Sequence, residues 1–251
     1  MSAIPVTVAA ADRRDFRPAL LLAGACVVAL ALTWVFAALV TATHTRDAIV
    51  LYDFTRLDRP ILEAPAKLLL ALLEPAFFVV WGMALLAVAG ARGRPRVGLA
   101  VVLVLTLAPL SSELLKPLVA HPHAQVVPLY ITSASWPSGH STAVTALVWC
   151  AAIVAPPARR RAIAIGGVLL AIAVGCSLLI LAWHMPSDVL GGYLMGTLWA
   201  ALAIAALRAV GPRGSLRGGI RCSHQPIRDH AHPEPIAARL PSWMDPHSQR
   251  G

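Results

Sequence analysis

Residues 159–188 read RRRAIAIGGVLLAIAVGCSLLILAWHMPSD. Three arginines lead into an apolar run from 162 to 182, and a short polar cluster follows it. A helix over such a run is long enough to cross a bilayer core of about 30 Å. It also satisfies its own backbone hydrogen bonds where no water is present to do so. The arginines read as a topology signal. The polar cluster sets His184 and Asp188 four residues apart, where the next apolar run begins.

Five further apolar segments lie around this one, at approximately 18–41, 66–90, 97–115, 141–156 and 189–209. Their Ala, Leu and Val content shows no strand-length alternation, which argues against a transmembrane barrel. The sequence therefore predicts an all-α, polytopic membrane protein, a six-transmembrane-helix bundle over residues 18–210. An N-terminal arm (1–17) precedes it. A tail (211–251), rich in Pro, Gly, Arg and His and without apolar periodicity, is expected to be disordered. The chain is 58% hydrophobic and 13% charged, with a mean hydropathy of +0.71, so a soluble fold would have nowhere to bury its apolar surface. The first run is longer than the roughly 7–15 apolar residues of a signal peptide, so it reads as a first spanning helix. No internal repeat is evident.

The loops fix an orientation. Arg13, Arg14 and Arg17, then Arg92, Arg94 and Arg96, then Arg159 to Arg161, and finally the tail from Arg208 on, fall on one side if every segment spans once. That side holds sixteen of the 21 basic residues. The other side holds Arg46, Arg56, Arg59, Lys67 and Lys116, partly offset by Asp47, Asp53, Asp58 and Glu63. An excess of Lys and Arg marks the cytoplasmic side, so both termini are expected in the cytoplasm of a cell that carries the protein in its inner or plasma membrane. The net charge of +9 is accounted for by these clusters and does not point to nucleic acid.

Cys26, Cys150, Cys176 and Cys222 make no C-x-x-C pair, so neither a zinc site nor a disulfide framework is suggested. His230 and His232 in the tail lack the further ligands that a metal site needs. The mixed-charge loop at 42–65 either lies on the outer membrane surface or packs over the bundle. Glu74, inside an apolar run, is either a functional intramembrane carboxylate or a residue that reaches the headgroups or pairs with Lys67.

Three polar clusters interrupt the apolar pattern, all on the outer side. Pro137-Ser138-Gly139-His140 stands at the start of the fourth segment. Ser is a good N-cap, and free N–H groups at a helix start, with Gly139 allowing close approach, suit an anion. An ordinary cap would need Ser138 and Gly139 but not His140. In the second cluster, His184 and Asp188 can meet on one helical face, where a carboxylate on one imidazole nitrogen fixes the tautomer of the other. The plainer reading is a helix-start aspartate beside an interfacial histidine. Lys116 ends the third segment and is followed by His121 and His123. It either snorkels to the interface or reaches an anion held by the other two clusters.

Together these clusters resemble the type 2 phosphatidic acid phosphatase superfamily. Its signatures run K-x6-R-P, P-S-G-H and S-R-x5-H-x3-D. This chain is similar at Lys116, at the whole of Pro137 to His140, and at Ser177, His184 and Asp188. It departs from the pattern at His123-Ala124, in place of R-P, and at Leu178, in place of the second arginine. The resemblance covers roughly residues 66–209. It implies an integral-membrane lipid phosphate phosphatase, with His184 as nucleophile, Asp188 orienting it and His140 as general acid and base. Lys116 and the backbone at Ser138 and Gly139 would bind phosphate, and the departure from the pattern is met by His121 and His123 as candidate replacement donors.

No cofactor or metal is expected, since no carboxylate cluster is available to hold one. The expected partners are the bilayer and a lipid phosphate: a phosphatidate, a phosphatidylglycerol phosphate, a sphingoid phosphate, or a polyprenyl phosphate or diphosphate. The missing arginines support a rival reading on the same fold, a non-catalytic lipid-phosphate-binding protein, and a lipid phosphotransferase, which shares the phosphohistidine step, is a third.

Overall fold

The computed structural model describes residues 15–122 and 131–210, all within one compact unit. The N-terminal arm to residue 14, His123 and the tail 211–251 lie outside the described residues. Eight helices run in the order α1 (Arg17–Leu39), α2 (Thr41–Thr55), α3 (Pro60–Ala71), α4 (Pro75–Ala91), α5 (Pro95–Leu115), α6 (Gly139–Val154), α7 (Pro157–Ile180) and α8 (Pro186–Ala209). No strand is assigned among the described residues. Six of the eight begin with a proline in the first turn. There its missing N–H costs nothing and its fixed φ already suits the helix.

The protein is an all-helical, multi-pass membrane protein. Helices α1, α5, α7 and α8 are long and apolar enough to cross a bilayer. At 23 residues, α1 is about 34 Å long. Their large apolar side chains face outward in quantity: Leu21 is 73% exposed, and Leu99, Val168, Leu169 and Leu190 are exposed as well. Contiguous apolar surface of this extent marks a lipid-facing wall.

Two sequence expectations change in detail. The segment 66–90 is one run in the sequence but two helices in space, α3 and α4, bent by 58°. Pro75 disfavours helical geometry for the residue before it, and Glu74 is accordingly extended, with φ −58° and ψ 155°. The region 42–65 is not a loop: it is α2 followed by the first turns of α3. It packs over the bundle, because Ala48 and Leu51 are buried in a core shared with Leu70, Val144, Val174, Leu178, Met185 and Val189.

The inner helix is α6, packed by α5, α7 and α8 and touched by α4. With 16 residues it is about 24 Å long, shorter than the bilayer core. Both its ends are tied. At its C-terminus, Arg92 Nη1 donates to Val154 O at 2.9 Å, Arg94 to Ile153 O and Arg160 to Ala152 O. Cations there complement the helix dipole. The arginine clusters 92–96 and 159–161 thus meet at one end of α6. At the other end α8 approaches closely through glycines. A Cβ on Gly192 would lie 2.5 Å from Ser138 O, and one on Gly196 would lie 2.9 Å from Thr142 O. Small residues at such contacts let two helices pack backbone to backbone in lipid.

Candidate active site where α6 and α8 begin

The polar residues gather at the N-terminal ends of α6 and α8 and the C-terminal end of α5. Ser138 is the N-cap of α6, and its Oγ accepts from Ser141 N at 3.4 Å. The loop before it is pinned from two sides. Ser112 Oγ on α5 donates to Pro137 O at 3.0 Å, and Ser138 N donates to Asp188 O at 2.9 Å. The peptide chain at the start of α6 is therefore fastened directly to the residue that carries the aspartate of α8.

The turn between α7 and α8 presents His184. Trp183 N donates to Leu178 O and Ala182 N to Leu179 O, so α7 closes in a Schellman motif. Ala182 takes the left-handed position, with φ 52°, where glycine is usual. Asp188 is fully buried. Its Oδ2 accepts from Met185 N at 2.9 Å and faces His184 Nδ1 at 3.4 Å. The contact to Nδ1 leaves Nε2 as the imidazole nitrogen available to a substrate. Asp188 Oδ1 has no hydrogen-bond partner among the described residues.

His140, one residue into α6, is half-buried, with its ring edge-to-face against Trp183 at 5.9 Å. The charged groups whose fields reach it are His184, Lys116, Glu74 and Glu113. Lys116 caps α5, and its Nζ lies 2.6 Å from Glu113 Oε1. Both side chains border Gly139: a Cβ there would lie 2.9 Å from Glu113 Oε1 and 3.8 Å from Lys116 Nζ.

Of the residues singled out from sequence, the structure brings together Lys116, Ser138, Gly139, His140, His184 and Asp188. His121 is buried nearby but turns towards α2. Its ring meets that of His44 at 6.3 Å, its Nδ1 faces Val119 O at 3.2 Å, and its backbone N–H donates to Ser133 O. Leu178, where the resemblance expects an arginine, is fully buried in the core beside Val144, Met185 and Val189. Glu74 does not pair with Lys67, which bonds Glu63 instead at 2.5 Å.

Sequence reasoning missed Asp47. Its carboxylate takes two hydrogen bonds from Ser187 at the start of α8. Burial pushes its pKa above the ordinary carboxylate value, while the bonds from Ser187 act the other way. Nothing in a mixed-charge stretch distinguishes one such aspartate. Glu113 was also passed over, although its spacing of three from Lys116 on a helix was a signal. Among the described residues no group of three or more His, Cys, Asp or Glu side chains converges as a metal site would require.

Together the fold and the site make a helical membrane bundle with a histidine–aspartate pair, a second histidine and a lysine gathered around the starts of α6 and α8. The family model of the PAP2 superfamily matches residues 68–211, more than half of the chain, and the chain belongs to that superfamily. The fold is similar to that in the crystal structure of the first transmembrane PAP2 type phosphatidylglycerolphosphate phosphatase from Bacillus subtilis. The TM-score is 0.60 and the identity 20%, over 72% of this chain and 93% of that one. No curated protein matches the chain in sequence.

Proposed function

We propose that the protein is an integral-membrane lipid phosphate phosphatase that works through a phosphohistidine intermediate without a metal ion. Membership of the superfamily supports the phosphatase class. The observation that carries the reading is the meeting of the His184–Asp188 pair with His140 and Lys116 at the N-terminus of α6.

In this reading Asp188 holds the Nδ1 proton of His184, and Nε2 attacks phosphorus. A P–N bond forms as the P–O bond to the lipid alkoxide breaks. His140 gives its proton to that leaving oxygen, a step worth about 10²–10⁴-fold in rate. Water then attacks the phosphohistidine, passing a proton back to His140, and the P–N bond breaks to release phosphate. The equatorial oxygens are held by Lys116 Nζ and by the free N–H groups at the start of α6.

The substrate is a phosphomonoester or diphosphate of a polyprenyl lipid or glycerolipid. The site is at the opposite end of α6 from the arginine clusters. Positive-inside orientation then puts it on the outer face of the inner or plasma membrane, with both termini in the cytoplasm. The short α6 suits a phosphate at headgroup depth. Six crossings follow if the α3–α4 pair and α6 each count as one.

The second reading, a non-catalytic lipid-phosphate-binding protein, rests on Leu178, whose burial leaves no side chain at that position to grip phosphate. A phosphotransferase shares the first chemical step and differs only in the acceptor.

The test is phosphate release by the purified full chain in detergent with EDTA. The panel should hold polyprenyl phosphates and diphosphates, phosphatidate, a sphingoid phosphate and phosphatidylglycerolphosphate, the last because of the structural neighbour. Release that is lost in both His184→Ala and His140→Ala supports the reading. Release no greater than that of His184→Ala on every substrate sinks it. Product that forms only with an added lipid or sugar acceptor makes the protein a transferase.

A further inference from the structure

Glu113 has no part in the chemistry described above, yet its carboxylate lies where the phosphate should go. It stands on the last turn of α5, with Oε1 2.6 Å from Lys116 Nζ. The same oxygen is 2.9 Å from the point a Cβ on Gly139 would occupy, against the first turn of α6. Its side chain is 59% exposed and that of Lys116 20%, so the carboxylate sits on the open side of the lysine. An anion therefore already lies against the helix start that would bind phosphate, and the fixed cation of the subsite is already paired. His140 on α6 feels the charges of both Glu113 and Lys116, together with those of Glu74 at the α3–α4 break and His184 ahead of α8.

A phosphomonoester carries between one and two negative charges near neutral pH, because its second ionisation falls at about pH 6. In a subsite with an unopposed lysine, the second charge strengthens binding. Beside Glu113 it is opposed by a like charge within a few ångströms, and a nearby like charge disfavours the ionised form. We propose that Glu113 is a specificity-determining residue of the phosphate subsite. It steers Lys116 to the mouth of α6, and it makes the subsite prefer the singly charged phosphoryl form over the doubly charged one. This inference rests on the phosphate-binding reading.

The experiment measures the dissociation constant of hexylphosphonate, a probe that cannot be hydrolysed, for the full chain in detergent at about pH 6 and about pH 8.5. Glu113→Gln keeps an acceptor for Lys116 and removes the charge. Because the charge of Glu113 also acts on the His140 ring, both measurements are repeated in a His140→Gln background, where the difference between the chains reports Glu113 at the subsite itself. The variant is expected to bind about tenfold more tightly than the parent at the higher pH, with a smaller gain at the lower pH. Equal affinities at both pH values, or weaker binding by the variant, overturns the inference. Lys116→Met, run beside it, is expected to weaken binding in either background. If neither parent nor variant binds the probe at either pH, the phosphate-binding reading itself fails, which is a different result from parent binding that Glu113→Gln does not improve.

Discussion

The carboxylate of Asp47 receives both the backbone N–H and the hydroxyl of Ser187, at 3.1 and 2.6 Å, across a sequence separation of 140 residues. Ser187 is the second residue of α8, so an aspartate on α2 caps the helix that carries Asp188. The N-cap residue of α8 is Met185, whose side chain has no oxygen to offer. Asp47 supplies one of the missing acceptors from outside.

Asp47→Ala should remove two hydrogen bonds to a charged acceptor. Such bonds contribute about 1.5–3 kcal/mol each when fully shielded. Asp47 is only partly shielded, so a total loss of roughly 2 kcal/mol is expected. Thermal unfolding in detergent reads it as a lowered transition, which Asp47→Asn should partly restore. An unchanged transition in the alanine variant would mean that α2 is not fastened to α8 by this pair.

Asp188→Asn keeps the size of the buried side chain but not the acceptor pair that faces His184 and Met185 N. If His184 is the nucleophile, the rate should fall by about 10²–10⁴-fold, the range for a mispositioned acid–base group. The apparent KM should change far less. A comparable loss in KM with kcat intact would assign Asp188 to binding and not to orientation of the histidine.

Gly192 bears on Ser138 O, and a Cβ there would lie 2.5 Å from that oxygen and 2.6 Å from Ser141 Cβ. The obstacle is backbone, which cannot rotate away. Gly192→Ala should cost about 1–3 kcal/mol, as overpacking of a close contact does. It should also lower phosphate release, because the displaced chain is the cap of α6. A variant as stable and as active as the parent would refute the close approach.

Ala182 holds a left-handed conformation that costs a residue with a Cβ about 1–2 kcal/mol. Ala182→Gly removes that cost and restores some unfolded-state entropy. A net gain of roughly 0.5–1 kcal/mol is expected, seen as a higher thermal transition. A lower transition would show that the turn before His184 is held in another way.

His44 titrates below the ordinary histidine value, through burial first and the neighbouring His121 second. Its folded form favours the neutral ring. The stability it contributes is therefore full above about pH 6.5 and is lost as the pH falls through its lowered value. Thermal transitions recorded between about pH 8 and pH 5 should drop less in His44→Gln than in the parent. Parallel curves would show that the group does not couple to folding. Asp47 and His121 face the same region, and both are unchanged in that comparison.

Much of this protein was written in local sequence. A lipid-spanning helix needs only an unbroken apolar run, so α1, α5, α7 and α8 were legible from composition in windows of about 20 residues. The spacing of His184 and Asp188 pointed to their pairing, but the sequence reading set both on one helical face, whereas His184 stands in the turn ahead of α8 and meets Asp188 across the helix start. Ser138 as an N-cap followed from residue type beside an apolar run.

Tertiary structure alone decided the rest, because it depends on groups far apart in the chain. The sequence cannot say that Asp47 is the acceptor for Ser187, since any of several outer-side aspartates has the same chemistry. Nor can it say that α2 is a helix packed over the bundle, since its two buried residues, Ala48 and Leu51, acquire that status only from a core built by α3, α6, α7 and α8. The break at Glu74–Pro75 was visible as a proline, but its 58° angle was set by the separate packing of α3 on α7 and α4 on α5. The spacing of three residues on one helix already pointed to a Glu113–Lys116 pair. Its position beside Gly139 comes from the packing of α5 against α6, which sets a carboxylate and an ammonium against a helix start.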